Sequence, residues 1–164
     1  MLATIAKLYD QLPDFDPVAV PSFSCLRDEV LRLFDLIPRP VIFQSDNPYN
    51  SSKELFADLY LGNPLRVFSG GNQHPFLSDE ENCKFRAVHD WFGHYEARAG
   101  FGWKGEVRSY HLHLSQFHPD SHPALLTETL GQVSWYFHFG SYPQQKVGLF
   151  DASEIHLHLE GFQR

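Results

Sequence analysis

The chain has 164 residues, of which 43% are hydrophobic and 15% aromatic. This composition supplies one buried core and excludes a disordered chain, so we expect a single domain over residues 1–164. Twenty acidic residues against 13 basic ones give a formal net charge of -7. That charge repels a phosphate backbone, so we do not expect nucleic-acid binding.

The first half of the chain reads as helices around two short strands. Apolar residues at helical spacing predict a helix over residues 2–12, ended by Pro13, and a second helix capped by Ser24 and running to about residue 37. The runs PVIFQ and LRVFS flank a predicted helix at SSKELFADLYL and are the only strand-like segments. The predicted fold is therefore mainly α, with at most a small two-stranded β element.

A glycine-rich loop, SGGNQHPFLSDEEN, leads into the second half of the chain. Ser78 or Asp79 would cap the helix that follows it, and His74 lies where a mobile lid is expected. Further helices are predicted over about residues 82–99, 106–117 and 123–139. The tail from Gly140 looks irregular, and its histidine pair in IHLHL, His156 and His158, is at most an adventitious metal site.

The location of the protein is predicted from what the sequence lacks. Cys25 and Cys83 have no C-x-x-C spacing, the N-terminus has no signal-peptide pattern, and no apolar stretch approaches the roughly 20 residues that span a bilayer. We therefore expect a cytoplasmic protein that does not bind membranes.

The motif HDWFGH contains the first candidate site residues, His89 and His94. Five residues separate them, and at 100° per residue they would lie about 140° apart around an α-helix. They can bind one ion only if they straddle it. Gly93 would help by loosening the backbone or by allowing another element to approach closely. An exposed histidine pair near a helix end is the alternative.

Two later helices carry candidate partners for these histidines. Glu106 and His113 are seven residues apart, so both can face one pocket as outer-shell groups or as a general base, although a surface salt bridge of Glu106 is equally consistent. Glu128 and Gln132 are one turn apart in an apolar helix. A carboxylate buried there needs a partner, and a metal ion is one such partner.

Two histidines and one carboxylate form the ligand set of non-haem Fe(II) and of catalytic Zn(II) sites. We predict His89, His94 and Glu128 as metal ligands, with Glu106, His113 and Gln132 as catalytic residues. On this assignment His94→Ala removes the metal, whereas Glu106→Ala leaves much of it bound.

HDWFGH also resembles the iron-binding H-E-L-L-G-H element of the aromatic amino acid hydroxylases, in which both histidines and a distant glutamate hold iron. The resemblance implies that His89 and His94 are iron ligands. Aligning the family's E-F-G tripeptide with residues 138–140 puts His138 at the carboxylate position, so Glu128, ten residues earlier, is taken as its replacement. Glu106 and His138 remain alternatives for the third ligand.

A broader resemblance covers residues 85–150. FRAVHDWFGH, the Gly105-Glu106 pair, TETLGQVSW and QKVGL resemble uncharacterised domains of phage-associated multidomain proteins. This resemblance implies that Glu106, Glu128 and Gln132 belong with the histidines in one functional cluster.

Together these features predict a mononuclear metal-dependent enzyme acting on a small molecule, by oxygen activation with iron or by hydrolysis with zinc. The alternative is a metal-free module that binds a small molecule or peptide and contains a buried network of histidine and glutamate side chains.

Overall fold

The structure is a computed structural model that describes residues 2–71 and 73–151, so His156 and His158 lie outside the described part. Seven α-helices are assigned in these ranges, at Leu2–Gln11 (α1), Val20–Phe34 (α2), Ser52–Tyr60 (α3), Asp79–Val88 (α4), Trp103–Gln116 (α5), His122–Leu126 (α6) and Gln132–Phe139 (α7). Two short strands, Val41–Gln44 (β1) and Leu65–Phe68 (β2), form the sheet found there. The predicted mainly α fold with a two-stranded β element is confirmed.

The two strands are parallel and are joined through α3, as a parallel pair requires a crossover connection. Val41 lies opposite Leu65, and Leu65 and Val67 are buried while the residues that alternate with them are exposed. The sheet therefore covers one side of the helical core with a single apolar face.

The start of α2 differs from the prediction. Asp16 Oδ1 accepts a hydrogen bond of 2.9 Å from the Val18 backbone N–H and caps a short 3₁₀ turn, Pro17–Ala19, from which α2 continues at Val20. Pro21 lies in the first turn of the helix, where its missing N–H costs nothing. The prediction of Ser24 as the cap is wrong, because this earlier start leaves Ser24 inside the helix.

Two segments of the second half form π-helix rather than α-helix. A capping box between Ser78 and Glu81 starts α4 as predicted, but the chain then continues as a π-helix over His89–Glu96 (π1). The later helix is likewise interrupted by a π-helical turn at Thr127–Gly131 (π2), between α6 and α7. π-Helical turns are rare and concentrate at functional sites, and these two contain His89, His94 and Glu128.

The core lies between α2, the sheet and the helices of the second half, and its largest fully buried apolar side chains include Phe23, Leu26, Leu55, Leu125 and Leu130. Burying each leucine or phenylalanine stabilises the fold by about 1.5–3 kcal/mol relative to its exposed state. The described part of the tail is irregular but attached, since Val147 exchanges backbone hydrogen bonds with Asp14 and Asp16. Among residues 2–71 and 73–151, no helix has the length and apolar character needed to cross a bilayer.

Candidate metal centre

Three side chains from two elements meet at one point. His89 and His94 come from π1 and Glu106 comes from the first turn of α5, and one ligand atom from each lies within 4.8 Å of the other two. His89 Nε2 is 3.2 Å from Glu106 Oε2, and His94 Nε2 is 3.5 Å from Glu106 Oε1. Ligands at about 2.1 Å from one ion are about 3.0 Å apart in octahedral and about 3.4 Å apart in tetrahedral geometry. Each of the two contacts, made to a different oxygen of Glu106, therefore has a length compatible with neighbouring ligands of one ion.

The π-helix explains why histidines five residues apart converge. Its backbone hydrogen bonds run from residue i to i+5, so each turn holds more residues than the 3.6 of an α-helix. Residues five apart consequently lie close to one face. The His89 and His94 rings are 4.6 Å apart, centre to centre, and nearly perpendicular at 81°. The 140° separation expected for an α-helix does not occur, so the two rings would not need to straddle an ion.

The hydrogen bond of His94 Nδ1 determines which ring nitrogen of this histidine carries the proton. His94 Nδ1 is 3.1 Å from the Ala99 carbonyl oxygen, which only accepts hydrogen bonds. Nδ1 therefore carries the ring proton, and Nε2 points its lone pair at Glu106. A metal-binding histidine characteristically donates its other N–H to a carbonyl or carboxylate in this way.

Close packing after π1 brings Glu106 to the histidines. The Cβ that any other residue would have at position 105 would overlap the carbonyl group of Gly100, so Gly105 allows the start of α5 to lie directly against the 97–102 turn. Glu106 follows immediately and is buried beside His94. In the Gly105-Glu106 pair noted in the sequence, Gly105 thus allows the close packing and Glu106 is a candidate ligand.

A second close approach holds α5 against π1. A Cβ on Gly93 would overlap the Ser109 hydroxyl oxygen and would lie 2.7 Å from His113 Nε2. Because Gly93 has no side chain, buried His113 reaches His89, with His113 Nε2 3.1 Å from His89 Nδ1. The close approach of another element, one of the two roles expected for Gly93, is confirmed.

Burial makes the titratable groups of the site favour their neutral forms. Burial raises the pKa of Glu106 to about 7 against a smaller opposing effect of His94, while burial lowers the pKa values of His89 and His94 to about 4. Asp90 has its pKa raised to about 7 by burial and then by the charge of Glu106. These directions describe neutral imidazoles around carboxyl groups that resist ionisation, and a bound cation would favour the ionised carboxylates.

The site is enclosed but not sealed. The side chain of His89 is 18% exposed, that of Glu106 9% and that of His94 3%. Phe85 packs face-on beside His89, and Phe101 packs edge-on against His94 with ring centres 4.8 Å apart. Solvent therefore reaches the group from the His89 side, and the Phe101 ring covers His94.

Glu128 lies in a separate network. Its Oε1 is 3.1 Å from His74 Nε2, and its Oε2 accepts a hydrogen bond of 2.7 Å from Gln132 Nε2. His74 Nδ1 accepts hydrogen bonds from the backbone N–H groups of Phe76 and Leu77, so the ring proton is on Nε2 and is donated to Glu128. The partner that a buried Glu128 requires is therefore a histidine.

This network changes the interpretation of the glycine-rich loop. The side chain of His74 is fully buried, and Arg86 of α4 donates hydrogen bonds to the carbonyl oxygens of Phe68, Gly70 and Gly71. The contacts of His74 with Glu128 and of Arg86 with the loop carbonyl groups attach the loop to the helices. This attachment does not fit the expected mobile lid. His138, the remaining alternative for a third ligand, is exposed and stacks edge-on with Phe139.

The structure thus brings His89, His94, Glu106 and His113 together, and it places Glu128 and Gln132 with His74. Among the alternatives left open for the third ligand, the geometry favours Glu106. Sequence reasoning did not find Gln116, whose Oε1 is 3.0 Å from His113 Nδ1, or the Ala99 carbonyl. The three-residue spacing of His113 and Gln116 on one helix could have indicated their contact. No sequence pattern indicates the contact of the Ala99 carbonyl with His94.

Comparison of the chain with protein-family models, with curated proteins and with solved structures finds no match in any of the three. The geometry of this site is therefore the basis of the function proposed below.

Proposed function

We propose that the protein is a mononuclear metalloenzyme in which His89, His94 and Glu106 bind one divalent ion. The observation that carries this proposal is the contact between His94 Nε2 and Glu106 Oε1 at 3.5 Å. Both atoms are hydrogen-bond acceptors when Glu106 is ionised, and both are buried, so the pair is repulsive unless a proton or a cation lies between them. His89 supplies a third ligand atom at the same point.

The ligand set supports a catalytic rather than an architectural ion. Structural zinc sites are closed by four protein ligands, whereas three leave positions for water or substrate. Fe(II) is our first candidate, because two histidines and one carboxylate with open positions are typical of non-haem iron oxygenases, and the likeness of HDWFGH to the hydroxylase motif points the same way. Zn(II), which would activate water for hydrolysis, is the second.

The residues of the chain would orient the ion and keep its surroundings dry. Ala99 and His113 hold the two ligand rings, and Phe85 and Phe101 exclude water from them. A small-molecule substrate would enter from the partly exposed His89 side. The cytoplasmic location expected from the sequence remains a prediction.

A metal-free binding module is the second candidate function, and one observation favours it. The network of Glu128, His74 and Gln132 is paired without any ion, so this chain does build buried histidine and glutamate networks from side chains alone. The group around Glu106 differs, because there the His94 lone pair faces the carboxylate.

Elemental analysis by mass spectrometry tests the proposal. Tag-free protein purified without chelators, or reconstituted anaerobically with Fe(II) or Zn(II), is expected to hold about one ion per chain, and His89→Ala and His94→Ala are expected to hold background amounts. His118→Ala is a matched control, since His118 is an exposed histidine outside the group. No bound metal in any sample would support the metal-free module.

Metal affinity is also expected to fall with pH in a defined range. Glu106 has a pKa raised to about 7 by burial and must lose its proton to bind an ion, so affinity should fall about tenfold for each pH unit below pH 7. His89 and His94, with pKa values lowered to about 4, stay neutral and add no proton competition until about pH 4.

Competition titrations with a chelator of known proton affinity, from pH 5 to pH 8, measure this slope. An affinity that stays constant between pH 7 and pH 5 would contradict Glu106 as a ligand that carries a proton in the free protein.

A further inference from the structure

His113 and Gln116 lie behind the candidate ligand His89 and form a hydrogen-bonded row with it. Gln116 Oε1 is 3.0 Å from His113 Nδ1, and His113 Nε2 is 3.1 Å from His89 Nδ1. The Ser109 hydroxyl oxygen lies 3.4 Å from the same His89 nitrogen. His89 ends the row at the candidate metal site, because its other ring nitrogen, Nε2, faces Glu106.

With the amide oxygen of Gln116 facing His113, as the structure places it, the row has one consistent assignment of protons. An amide oxygen only accepts, so His113 Nδ1 carries the ring proton and His113 Nε2 is left as an acceptor. His89 Nδ1 must then donate to His113 Nε2, which leaves the lone pair of His89 Nε2 pointing at Glu106. His94 reaches the same state through the Ala99 carbonyl.

We propose that Gln116 and His113 are positioning residues that hold His89 in the Nδ1–H tautomer and so present its Nε2 to the ion. The inference rests on the proposed metal site but concerns groups that do not bind the ion. Second-layer partners of this kind orient metal-binding histidines, and losing one typically lowers metal affinity about 10–100-fold.

The packing around His113 supports a positioning role. His113 is fully buried, and the Phe117 ring packs edge-on against it with centres 5.3 Å apart. Gly93 allows the approach to His89, since a Cβ there would lie 2.7 Å from His113 Nε2. The ring therefore has one orientation, and its partners determine which nitrogen carries the proton.

The tautomers themselves can be measured without a metal. Two-bond ¹H–¹⁵N correlation spectra of the metal-free protein are expected to show the Nδ1–H form for His89, His94 and His113. His74 is an internal contrast, because its Nδ1 accepts two backbone N–H groups and it is expected in the Nε2–H form. An Nε2–H form at His113 or His89 would overturn the proposal.

Substitution of Gln116 tests the effect on the ion. Gln116→Met keeps the length of the side chain and removes the acceptor, so affinity for Fe(II) or Zn(II) should fall about 10–100-fold. Gln116→Glu restores an acceptor for His113 Nδ1 and should return affinity to within a few-fold of the original chain. A merely structural role would not produce this rescue, and equal affinity in both variants would overturn the inference.

The two proposals fail in different ways. If the tautomers are found as stated but no variant and no original protein binds metal, the metalloenzyme proposal fails, and only the Nδ1–H tautomer of His89 stands from this inference. If metal binds but Gln116→Met changes neither the tautomers nor the affinity, the positioning proposal fails and the metal site stands.

Discussion

Glu106→Gln is expected to lower metal affinity by more than roughly 100-fold, beyond the loss typical of an outer-shell change, whereas Glu128→Gln should leave affinity within a few-fold. An amide oxygen is a weak, uncharged ligand, so the first variant loses the anionic member of the site. This reverses the sequence-based expectation for Glu106, because the structure puts Glu106 against His89 and His94 and puts Glu128 against His74.

The fold should survive the loss of metal in Glu106→Gln. A glutamine amide can donate to the lone pair of a histidine Nε2, which removes the acceptor-to-acceptor contact of the free protein. Above pH 7 the variant also avoids the buried carboxylate whose pKa is raised to about 7. Its thermal stability without metal should therefore equal or exceed that of the original chain at pH 8.

Glu128→Gln is the matched control because it should keep metal affinity and lose thermal stability. Two donors, His74 Nε2 and Gln132 Nε2, contact the carboxylate, and a glutamine can accept from only one of them without opposing its own N–H to the other. One unsatisfied buried group costs about 1–3 kcal/mol. Isothermal titration and thermal unfolding separate the two variants. Metal loss in Glu128→Gln with retention in Glu106→Gln would restore Glu128 as the ligand.

Gly93→Ala is the second substitution with a large expected effect. The new methyl group would overlap the Ser109 hydroxyl oxygen and lie 2.7 Å from His113 Nε2, so π1 and α5 must separate. Overpacking of this kind typically costs about 1–3 kcal/mol, occasionally more. For a chain of this size each kcal/mol lowers the melting temperature by roughly 2–4 °C. Separation also moves His113 from His89, so metal affinity should fall together with stability.

Gly102→Ala is the control for this change. Gly102 has an extended backbone at the start of α5, and a Cβ there meets no atom within 4 Å. Its melting temperature and metal content should stay close to those of the original chain. Ser109→Ala in the Gly93→Ala background removes the nearest obstruction and should recover part of the stability. If Gly93→Ala unfolds at the same temperature as Gly102→Ala, the close packing described for π1 and α5 is contradicted.

The predicted helices and strands were largely confirmed because they depend on local patterns. The apolar spacing of α1, the Ser78 cap of α4 and the two β-rich runs are read from residues a few positions apart. The capping prediction at Ser24 was wrong for a local reason too, since Asp16 and Pro17 offered a better start.

The π-helical turns were not predicted, although they decide the geometry of the site. The period of apolar residues in π1 is compatible with an α-helix, and nothing in HDWFGH by itself favours hydrogen bonds to the fifth residue. Packing of Gly93 onto α5 is associated with the π form here, because it brings His113 and Ser109 against the same turn. The spacing of apolar residues therefore cannot predict a π-helix whose formation depends on packing against another helix.

The sequence by itself determined the mainly α fold and the residue types of the site: a histidine pair in one motif and glutamates on two later helices. Only the tertiary structure decided which glutamate joins the pair. Glu106 and Glu128 both lie in buried helical positions, and the choice depends on contacts between distant segments, such as His74 with Glu128 across 54 residues. Helical periodicity is a property of neighbouring residues, whereas ligand convergence is a property of packing, and one chain pattern is compatible with several packings.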